Sequence, residues 1–359
     1  MKKAIKRSLP FVVVLALGAL VAAGASAHST RKAANIQVCA LLPDTTTSVR
    51  YQLFDKPALE KAFNAANVSA QVLNAQGSAQ TQRSQADQCM TQGAKVILVD
   101  ALDSATGASI EDAAASKGVK TIDYDRLVLN GKASYYVSYN NVGVGKTMGT
   151  GLVAAIKKKG LYKKHPVIAE LNGGITDNNA TLFKQGYDAV LKPLYNKGVF
   201  KKAKAGDQFT DWDAQKAATI FDQMLVRNNN KIDGAIAAND NLAGAVIATL
   251  KSHKLKPIPL TGQDATPTGV QFILAGWQSG TVFKNFKVEA AVAAKAAIQL
   301  LKGQKVTGVN GATNNKVRNV PSILLKPQWI TKVNYKLLFT TGAVKRSQVC
   351  IGVYKKLCK

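Results

Sequence analysis

Hydrophobic and polar positions alternate along the chain in a way that predicts repeated strands and helices. The segment 36–42 is a nearly continuous apolar run ended by Pro43, as expected for a buried parallel strand. Apolar positions with helical spacing follow at Leu53, Leu59 and Phe63. This order of a short apolar run and then a helical pattern recurs, which predicts an α/β fold with parallel, doubly wound sheets.

The alternation occurs in two consecutive sets, which predicts two similar lobes. Further strands are predicted at 69–73, 96–99, 119–124, 134–139, 167–171, 200–205, 234–237 and 258–261. Helices are predicted between them at 79–92, 107–117, 143–159, 179–192, 213–227 and 241–253. The pair Asn140-Asn141 is a plausible hinge between the two sets. The later segments 267–275, 281–283 and 288–301 could complete either lobe on pattern alone.

The first residues of the chain indicate export. Four basic residues precede an apolar run from Leu9 to Ala23, and small residues follow at Ala25-Ser26-Ala27. This order predicts that residues 1–27 are a cleaved secretory signal, which places the protein in the periplasm or on the extracellular face of the cell envelope. An uncleaved anchor is the alternative, but a bilayer span needs about 20 apolar residues.

The chain is strongly basic, with a formal net charge of +27 at pH 7. Its lysines are scattered, with short clusters at 157–159, 201–202 and 355–356, and they are not interleaved with aromatic residues. Proteins that bind single-stranded nucleic acid combine a basic groove with aromatic stacking platforms. We therefore expect a solvated basic surface and no nucleic-acid partner.

Four cysteines in an exported chain suggest disulfides, and three pairings are possible. Cys350 and Cys358 are close in sequence and would close a short C-terminal loop. That pairing leaves Cys39, in the first strand, with Cys89, in a helix expected to pack on the same sheet. The alternative is that Cys39 and Cys89 are small buried thiols. No C-x-x-C pair is present, which disfavours a redox motif or a zinc site.

Motifs that would indicate an enzyme are incomplete. Gly143 to Thr147 resembles the end of a phosphate-binding loop, but Asn140 stands where the full pattern needs glycine. The segment is better explained as the start of the helix after the hinge. The histidines show no metal-ligand spacing, and no Gly-x-Ser-x-Gly elbow occurs. A carboxylate pair for glycoside hydrolysis stays open as an alternative. We expect a protein that is not an enzyme, with no cofactor and no metal.

Polar or aromatic clusters recur at the predicted strand ends, where ligands of open α/β sheets bind. Carboxylates, amides and guanidinium groups beside aromatic rings suit a hydroxyl-rich ligand such as a sugar. Each cluster alone could be a turn, a surface ion pair or a helix cap. The clusters are Arg50-Tyr51, Asp103-Ser104, Asp125-Arg126, Asn178-Asn179, Trp212 between two aspartates, Asn239-Asp240 and Gln263-Asp264.

The segments around these clusters resemble a known family over roughly residues 35 to 330. They include Val49–Gln52, Asp123–Arg126, Gly173–Ala180, Asp207–Trp212, Ala238–Asp240, Gly262–Ala265 and Thr281–Lys284. In order and spacing the chain resembles the periplasmic sugar-binding proteins of ABC importers, of the ribose/xylose type and the D-xylose-binding branch most closely. Tyr51 departs from that branch, which tends to carry Trp there.

The resemblance implies a type I periplasmic-binding-protein fold, in which two Rossmann-like lobes joined by three crossovers close on a monosaccharide. It implies an N-terminal lobe of 35–139 with 265–306, a C-terminal lobe of 140–264 with 307–330, and a tail of 331–359. The crossovers are expected near Tyr139–Asn141, Gln263–Ala265 and Val306–Val309.

The resemblance also assigns roles to individual positions. Asp125, Asn239, Asp240 and Asp264 match hydroxyl ligands, and Arg50 and Arg126 match cationic donors. Asp103 stands where ribose binders carry a sugar-binding aspartate, and Trp212 matches a stacking ring. Tyr51, Asn178, Asn179 and Lys284 complete the expected binding set.

The implied function is capture of D-xylose or a related aldose by a monomer, followed by delivery to the permease subunits of an ABC transporter. A sugar sensor on the same fold without a transport role is the alternative. A transcriptional repressor would need an N-terminal helix-turn-helix, and this chain has an export signal there instead.

Overall fold

The predicted alternation of strands and helices is present in the computed structural model, which describes residues 35–45 and 48–358. The predicted signal at residues 1–27 lies outside these residues. The strands are Val38–Leu42 (β1), Ala70–Asn74 (β2), Val96–Val99 (β3), Lys120–Tyr124 (β4), Tyr135–Tyr139 (β5), Val167–Asn172 (β6), Lys201–Phe209 (β7), Gly234–Ala237 (β8), Thr261–Gln263 (β9), Gly280–Phe283 (β10), Gly311–Asn314 (β11), Asn319–Leu325 (β12) and Gln328–Ile330 (β13).

The helices follow the strands in the order that the sequence predicts. They are Lys56–Ala65 (α1), Ala79–Thr91 (α2), Ser104–Ser116 (α3), Asn141–Lys158 (α4), Asn178–Asn196 (α5), Ala214–Arg227 (α6), Asp240–Ser252 (α7), Pro267–Leu274 (α8), Phe286–Leu301 (α9), Leu337–Thr340 (α10) and Arg346–Val349 (α11). A π-helical turn, Tyr51–Asp55, precedes α1. Within residues 35–45 and 48–358, no helix is both long and apolar enough to cross a bilayer.

The first lobe is built on a seven-stranded sheet in the order β11-β12-β5-β4-β3-β1-β2. Its neighbouring strands are parallel except for β11 and β12. All five residues of β1 are buried. Val38 and Leu42 face a core formed with α1 and α9, while Cys39 and Leu41 face a core formed with α2 and α3. Helices therefore cover both faces, as a parallel sheet requires.

The second lobe contains two three-stranded sheets, β7-β6-β8 and β13-β10-β9. A parallel bridge between Ala235 and Leu260 joins them. The Ala235 amide also donates to the Pro259 carbonyl at 2.8 Å. The strands of the two lobes thus form two separate layers, and β6, β8, β9 and β10 run parallel in the second layer.

The sheet topology corrects the expected division of the chain into lobes. The segment 265–306 was expected in the first lobe. Its helix α9 does pack into the first-lobe core, but its strand β10 pairs with β9 and β13 of the second lobe. The segment 307–330 was expected in the second lobe. Its strand β13 does lie there, but its strands β11 and β12 join β5 of the first lobe. The chain therefore passes between the sheets at 139–141, 283–286 and 325–328.

The crossover expected at Tyr139–Asn141 is present, whereas those expected near Gln263–Ala265 and Val306–Val309 lie about twenty residues too early in the sequence. Hydrophobic spacing identifies a strand but does not identify the sheet edge that the strand joins. The partner of a late strand depends on long-range pairing, which a local pattern does not contain.

The structure contains both favoured disulfides, Cys39–Cys89 and Cys350–Cys358. The alternative of two buried thiols at Cys39 and Cys89 is therefore wrong. The first bridge ties α2 to β1. The second closes the end of the C-terminal tail, which packs on α8 and β10 through an apolar cluster that includes Leu338.

Helices α4 and α5 meet at a point where only glycine fits. A Cβ atom at Gly145 would lie 1.9 Å from the Phe183 carbonyl oxygen, and one at Gly186 would lie 2.2 Å from the Val142 carbonyl oxygen. Gly145 belongs to the glycine-rich segment that resembles a phosphate-binding loop. The structure confirms that this segment opens the helix after the first crossover, with the Asn140 side chain accepting from the Gly143 amide at 2.9 Å.

We expect Gly145→Ala to destabilise the protein by about 1–3 kcal/mol, because the new methyl group overlaps backbone atoms that cannot move independently. Gly244→Ala in α7 is the matched control, since its Cβ would meet only the Phe272 ring at 3.4 Å. That exchange should be neutral or stabilising by about 0.5–1 kcal/mol. Urea unfolding of both variants measures the difference, and equal stabilities would contradict the packing account.

Candidate functional site

A small cavity of about 30 Å³ lies between the two lobes. Its walls come from loops that follow the carboxyl ends of parallel strands, where ligands of open α/β sheets bind. The first lobe contributes Ser48, Arg50, Tyr51, Asp125 and Arg126. The second lobe and the second crossover contribute Asp177, Asn179, Phe183, Trp212, Asn239, Gln263, Asp264 and Lys284.

The structure brings together most of the residues that the sequence selects. Nine of them line the cavity, namely Arg50, Tyr51, Asp125, Arg126, Asn179, Trp212, Asn239, Asp264 and Lys284. The expected binding set lacked four lining residues, Ser48, Asp177, Phe183 and Gln263. Asp177 and Gln263 are close neighbours of selected positions, so the loops were found and the individual residues were not. Phe183 lies on α5 and resembles any other buried helical residue in the sequence.

Three selected residues lie elsewhere. Asp103 caps α3, and its carboxylate accepts from the Thr106 amide and hydroxyl, each at 2.8 Å. Asn178 is the first residue of α5 and is not among the lining residues. Asp240 is buried behind the cavity, where its carboxylate accepts from Gln278 Nε2 and Thr281 Oγ1, each at 2.8 Å. Asp103 was selected wrongly because helix caps and ligand contacts use the same residue types after strands.

Arg50 forms the base of the cavity on the first-lobe side. Its side chain is 2 % exposed and is surrounded by three carboxylates. Nη1 donates to Asp125 at 2.7 Å, Nε and Nη2 donate to Asp55 at 3.0 and 2.7 Å, and Nη2 also donates to Glu289 at 2.9 Å. The guanidinium also stacks 4.0 Å from the Phe286 ring centroid. The π-helical turn brings Asp55 next to Arg50, and α9 supplies Glu289.

The pKa values of two carboxyl groups beside Arg50 are shifted in opposite directions, that of Asp125 by neighbouring cations and that of Glu289 by burial. Burial alone would raise the pKa of Asp125, but Arg50, Lys284 and Arg126 together lower it to about 2. Burial raises the pKa of Glu289 to about 8, with Arg50 acting in the opposite direction. Asp125 is therefore an anion facing the cavity, while Glu289 holds a proton at neutral pH.

Arg126 reaches from the first lobe to the second. Its Nη1 donates to the carbonyl oxygens of Ala101 and Leu102 at 3.2 Å, and its Nη2 donates to the Tyr51 hydroxyl at 3.0 Å. Its Nε lies 3.3 Å from Asp177 Oδ2, at the start of α5. The guanidinium is thus fixed by first-lobe carbonyl groups while it pairs with a second-lobe carboxylate.

Two further contacts join the lobes directly. Asn179 Nδ2 donates to the carbonyl oxygen of Asp125 at 3.0 Å, and Ser48 Oγ donates to Asp264 Oδ2 at 3.2 Å. Together with the Arg126–Asp177 pair, they bury the lining side chains from both sides. The arrangement is that of two lobes closed over a small polar cavity.

Trp212 supplies an aromatic wall on the second-lobe side. Its Nε1 donates to Asp177 Oδ2 at 3.1 Å, and its ring lies edge-on to Phe183 with centroids 6.4 Å apart. The ring packs against the backbone of the loop after β6, where a Cβ at Gly173 would come within 2.3 Å of it. Glycine at this position therefore lets the indole lie flat against the loop.

Unsatisfied acceptors lie beside this aromatic wall. Within the described part of the chain, Gln263 Oε1 and Asp264 Oδ1 are buried and have no hydrogen-bond partner. Burial raises the pKa of Asp264, and Lys284 and Arg50 oppose that shift. The nearest cation is Lys284, whose Nζ lies 3.9 Å from Asp264 Oδ1. Buried acceptors without partners cost stability unless a ligand donates to them.

Three lining residues have left-handed backbone conformations. The φ angles are +57° at Asp125, +62° at Trp212 and +94° at Asp264. Such angles are uncommon outside glycine, and most unusual for a bulky residue such as tryptophan. Strained conformations of this kind cluster at ligand sites, where surrounding contacts hold them. Here they turn a carboxylate, an indole and a second carboxylate toward one cavity.

The site has no arrangement that would bind a metal ion. In residues 35–45 and 48–358, no group of three or more His, Cys, Asp or Glu side chains is placed to coordinate one. The cavity walls offer hydrogen-bonding side chains and the aromatic ring of Trp212.

The chain is similar to known periplasmic proteins. A family model described as "Periplasmic binding protein domain" matches residues 39–305. The D-xylose-binding periplasmic protein of Escherichia coli K12 is 32 % identical over 284 residues, which cover 79 % of this chain and 83 % of that protein. A multiple sugar-binding periplasmic receptor of Rhizobium radiobacter is 32 % identical over 324 residues, with 85 % and 90 % covered.

A solved structure shows the same fold. It is an ABC transporter solute binding protein from Clostridium phytofermentans with bound β-D-glucose. The TM-score is 0.81 and the sequence identity is 27 %, with 87 % of this chain and 99 % of the other covered. These relatives are solute-binding proteins and not enzymes, in agreement with the expectation from the sequence.

We expect the stability of the protein to fall as the pH rises from about 6 through 8, and Glu289 to contribute to this fall. The folded protein keeps a proton on Glu289 up to about pH 8, whereas the unfolded chain releases it near the ordinary value of 4.5. Rising pH therefore favours unfolding in this window. Glu289→Gln keeps a neutral side chain that can accept from Arg50, so its stability should fall less between pH 6 and pH 9.

Urea unfolding midpoints at the two pH values measure the effect. Glu60→Gln is the matched control, because Glu60 is exposed on α1 and the exchange should leave the fall unchanged. If wild type and Glu289→Gln lose equal stability, the proton on Glu289 plays no part.

Proposed function

The chain belongs to the periplasmic binding protein domain family, and on that premise we propose that it is an exported receptor for a neutral monosaccharide. D-xylose or a related aldose is the proposed ligand, and the permease subunits of an ABC transporter are the proposed recipients. The receptor would act as a monomer that closes its two lobes over the sugar. The observation that carries the proposal is the pair of buried, unpartnered acceptors, Gln263 Oε1 and Asp264 Oδ1, beside an aromatic wall.

Sugar hydroxyl groups would donate hydrogen bonds to these acceptors. A hydroxyl can donate to Asp264 Oδ1 or Gln263 Oε1, and its oxygen can accept from a cationic or amide group across the cavity. The apolar face of a sugar ring can pack on the Trp212 indole, since aromatic rings favour such contacts.

The charge balance of the cavity favours a neutral sugar over a sugar acid or phosphate. The lining cations are Arg50, Arg126 and Lys284, and the lining anions are Asp125, Asp177 and Asp264. Each cation already lies within 4.0 Å of a carboxylate oxygen. An anionic ligand would compete with these carboxylates and would bring a further negative charge into a buried space. That cost is large when no free cation compensates it.

The proposed mechanism of sugar capture is closure of the two lobes. The acceptors Gln263 and Asp264 belong to the second lobe, while Arg50, Tyr51 and Asp125 belong to the first. A sugar that contacts both groups binds the closed form better than the open form and shifts the equilibrium toward it. The crossovers at 139–141, 283–286 and 325–328 are the segments that would absorb the movement.

Calorimetric titration with D-xylose, D-ribose, L-arabinose, D-glucose and D-galactose tests the ligand class. We expect saturable binding of at least one of these sugars below millimolar concentration. D-glucuronate and glucose 6-phosphate are the charged comparators and should bind more weakly than the best neutral sugar. Failure of every neutral sugar to bind, or stronger binding of a charged one, would overturn the proposal.

Exchange of Asp264 for Asn should weaken binding of the best neutral sugar by tenfold or more. A hydrogen bond to a charged group contributes about 1.5–3 kcal/mol, and asparagine tolerates the left-handed backbone at this position. Asp103→Asn is the matched control, because Asp103 caps α3 outside the cavity and asparagine caps equally well. Equal affinities of the two variants would show that Asp264 does not contact the sugar.

A further inference from the structure

The positive charge of the chain is concentrated toward its end. Residues 290–359 contain thirteen lysines and arginines and no aspartate or glutamate. Nearly half of the formal net charge of +27 therefore resides in the last seventy residues. The sugar cavity uses none of these residues. A charge excess of this kind attracts anionic surfaces.

The end of this basic segment is a small structured loop, which we call the C-terminal loop and define as residues 350–358. The disulfide Cys350–Cys358 closes it, and a 3₁₀ helix spans Gly352–Leu357. Arg346 Nη2 donates to the Cys358 carbonyl oxygen at 3.1 Å. Gln271 Nε2 of α8 holds the preceding turn through the Val349 carbonyl oxygen at 3.1 Å. The loop is therefore fixed to the second lobe.

The loop presents aliphatic and cationic side chains to solvent together. Val353 is 71 % exposed and Ile351 is 52 % exposed. Lys355 and Lys356 are exposed in the next turn. In a 3₁₀ helix residues three apart lie over one another, so Val353 and Lys356 share one side. Leu357 packs against the apolar cluster of the tail.

We propose that the C-terminal loop docks the protein on an anionic lipid surface. Two exposed aliphatic side chains on a rigid loop can enter the boundary between headgroups and acyl chains, and adjacent lysines can contact the lipid phosphates. Because the disulfide and the contacts to α8 already order the loop, docking requires little further ordering. Lipid is a better match than a soluble anionic polymer, since a polymer would not bury Ile351 and Val353.

Such docking would be peripheral and reversible. Each lysine near an anionic membrane strengthens binding roughly fivefold. The aliphatic contacts add a contribution to the binding free energy that salt does not screen. A receptor held in this way would stay near its membrane. The sugar cavity and the C-terminal loop share no residue, so the two activities can be measured independently.

Vesicle sedimentation tests the proposal. The chain from residue 28 onward is used, because it contains the whole compact unit Ala34–Lys359 and lacks the apolar run at 9–23. Vesicles of phosphatidylcholine alone are compared with vesicles that contain one-quarter phosphatidylglycerol. We expect binding to the anionic vesicles and little binding to the neutral ones.

Two double variants separate the contributions of the loop. Lys355→Gln with Lys356→Gln should weaken binding roughly 25-fold at low salt. Ile351→Ser with Val353→Ser should weaken vesicle binding about tenfold or more. The same exchange should also remove the vesicle binding that persists in high salt. The matched controls are Lys163→Gln with Lys164→Gln, and Val317→Ser, which change exposed residues outside the loop. Controls and loop variants should keep wild-type sugar affinity.

Binding that is unchanged in both loop variants would overturn the proposal. Binding that depends on the lysines alone and is competed equally by soluble polyglutamate would also overturn it, since that outcome identifies a polymer site. Loss in both loop variants with unchanged controls supports docking on lipid.

Discussion

The binding cavity depends on one buried cation. Arg50 joins three parts of the first lobe, because its guanidinium contacts Asp55 in the π-helical turn, Asp125 after β4 and Glu289 in α9. A guanidinium can satisfy several carboxylates at once through its fixed set of donors. Three carboxylates around one cation would leave an excess of negative charge, and the raised pKa of Glu289 removes part of it. Removal of Arg50 would leave buried carboxylates unpaired, which is strongly destabilising.

The Arg50 cluster fixes the first-lobe groups that contact the second lobe. Arg50 fixes the Asp125 carboxylate, and the Asp125 carbonyl oxygen accepts from Asn179 across the cleft. Arg126 follows directly in sequence and pairs with Asp177 of the second lobe. The contacts between the lobes therefore involve first-lobe groups that are held in fixed positions. The acceptors without partners, Gln263 and Asp264, lie in the second lobe and are available to a ligand. If the proposed sugar binds here, rigid donors opposite available acceptors would select it by the positions of its hydroxyl groups.

Much of this site could be predicted from the sequence because ligand groups of α/β folds follow strands. Arg50, Asp125, Trp212 and Asp264 were selected on that basis and line one cavity. Asp103 and Asp240 follow strands equally well, but their carboxylates hold α3 and the segment after β9. Sequence alone does not separate these cases, because a cap and a ligand contact both need a short polar side chain. The partners that decide between them are distant in the chain.

The lobe boundaries illustrate the same limit on a larger scale. Strand β12 joins β5, nearly two hundred residues earlier in the chain, and β10 joins β9 and β13. The sequence pattern located β5 and β10 to within a residue, placed β9 too early at 258–261 and did not predict β12 or β13. Pairing partners result from the packing of the complete sheet. Lys284 shows the consequence for function. It was selected from the family resemblance, and the corrected topology places it on the second crossover, between the lobes and close to Asp125 and Asp264.

Closure of the two lobes over a neutral sugar is the central claim, and small-angle X-ray scattering tests it most directly. The radius of gyration is measured without ligand and then with the neutral sugar that binds most tightly at saturating concentration. The account predicts a decrease on addition of that sugar and no decrease on addition of a sugar that does not bind. An unchanged radius of gyration under saturating sugar would contradict it, because the contacts from both lobes would then not be coupled to the ligand.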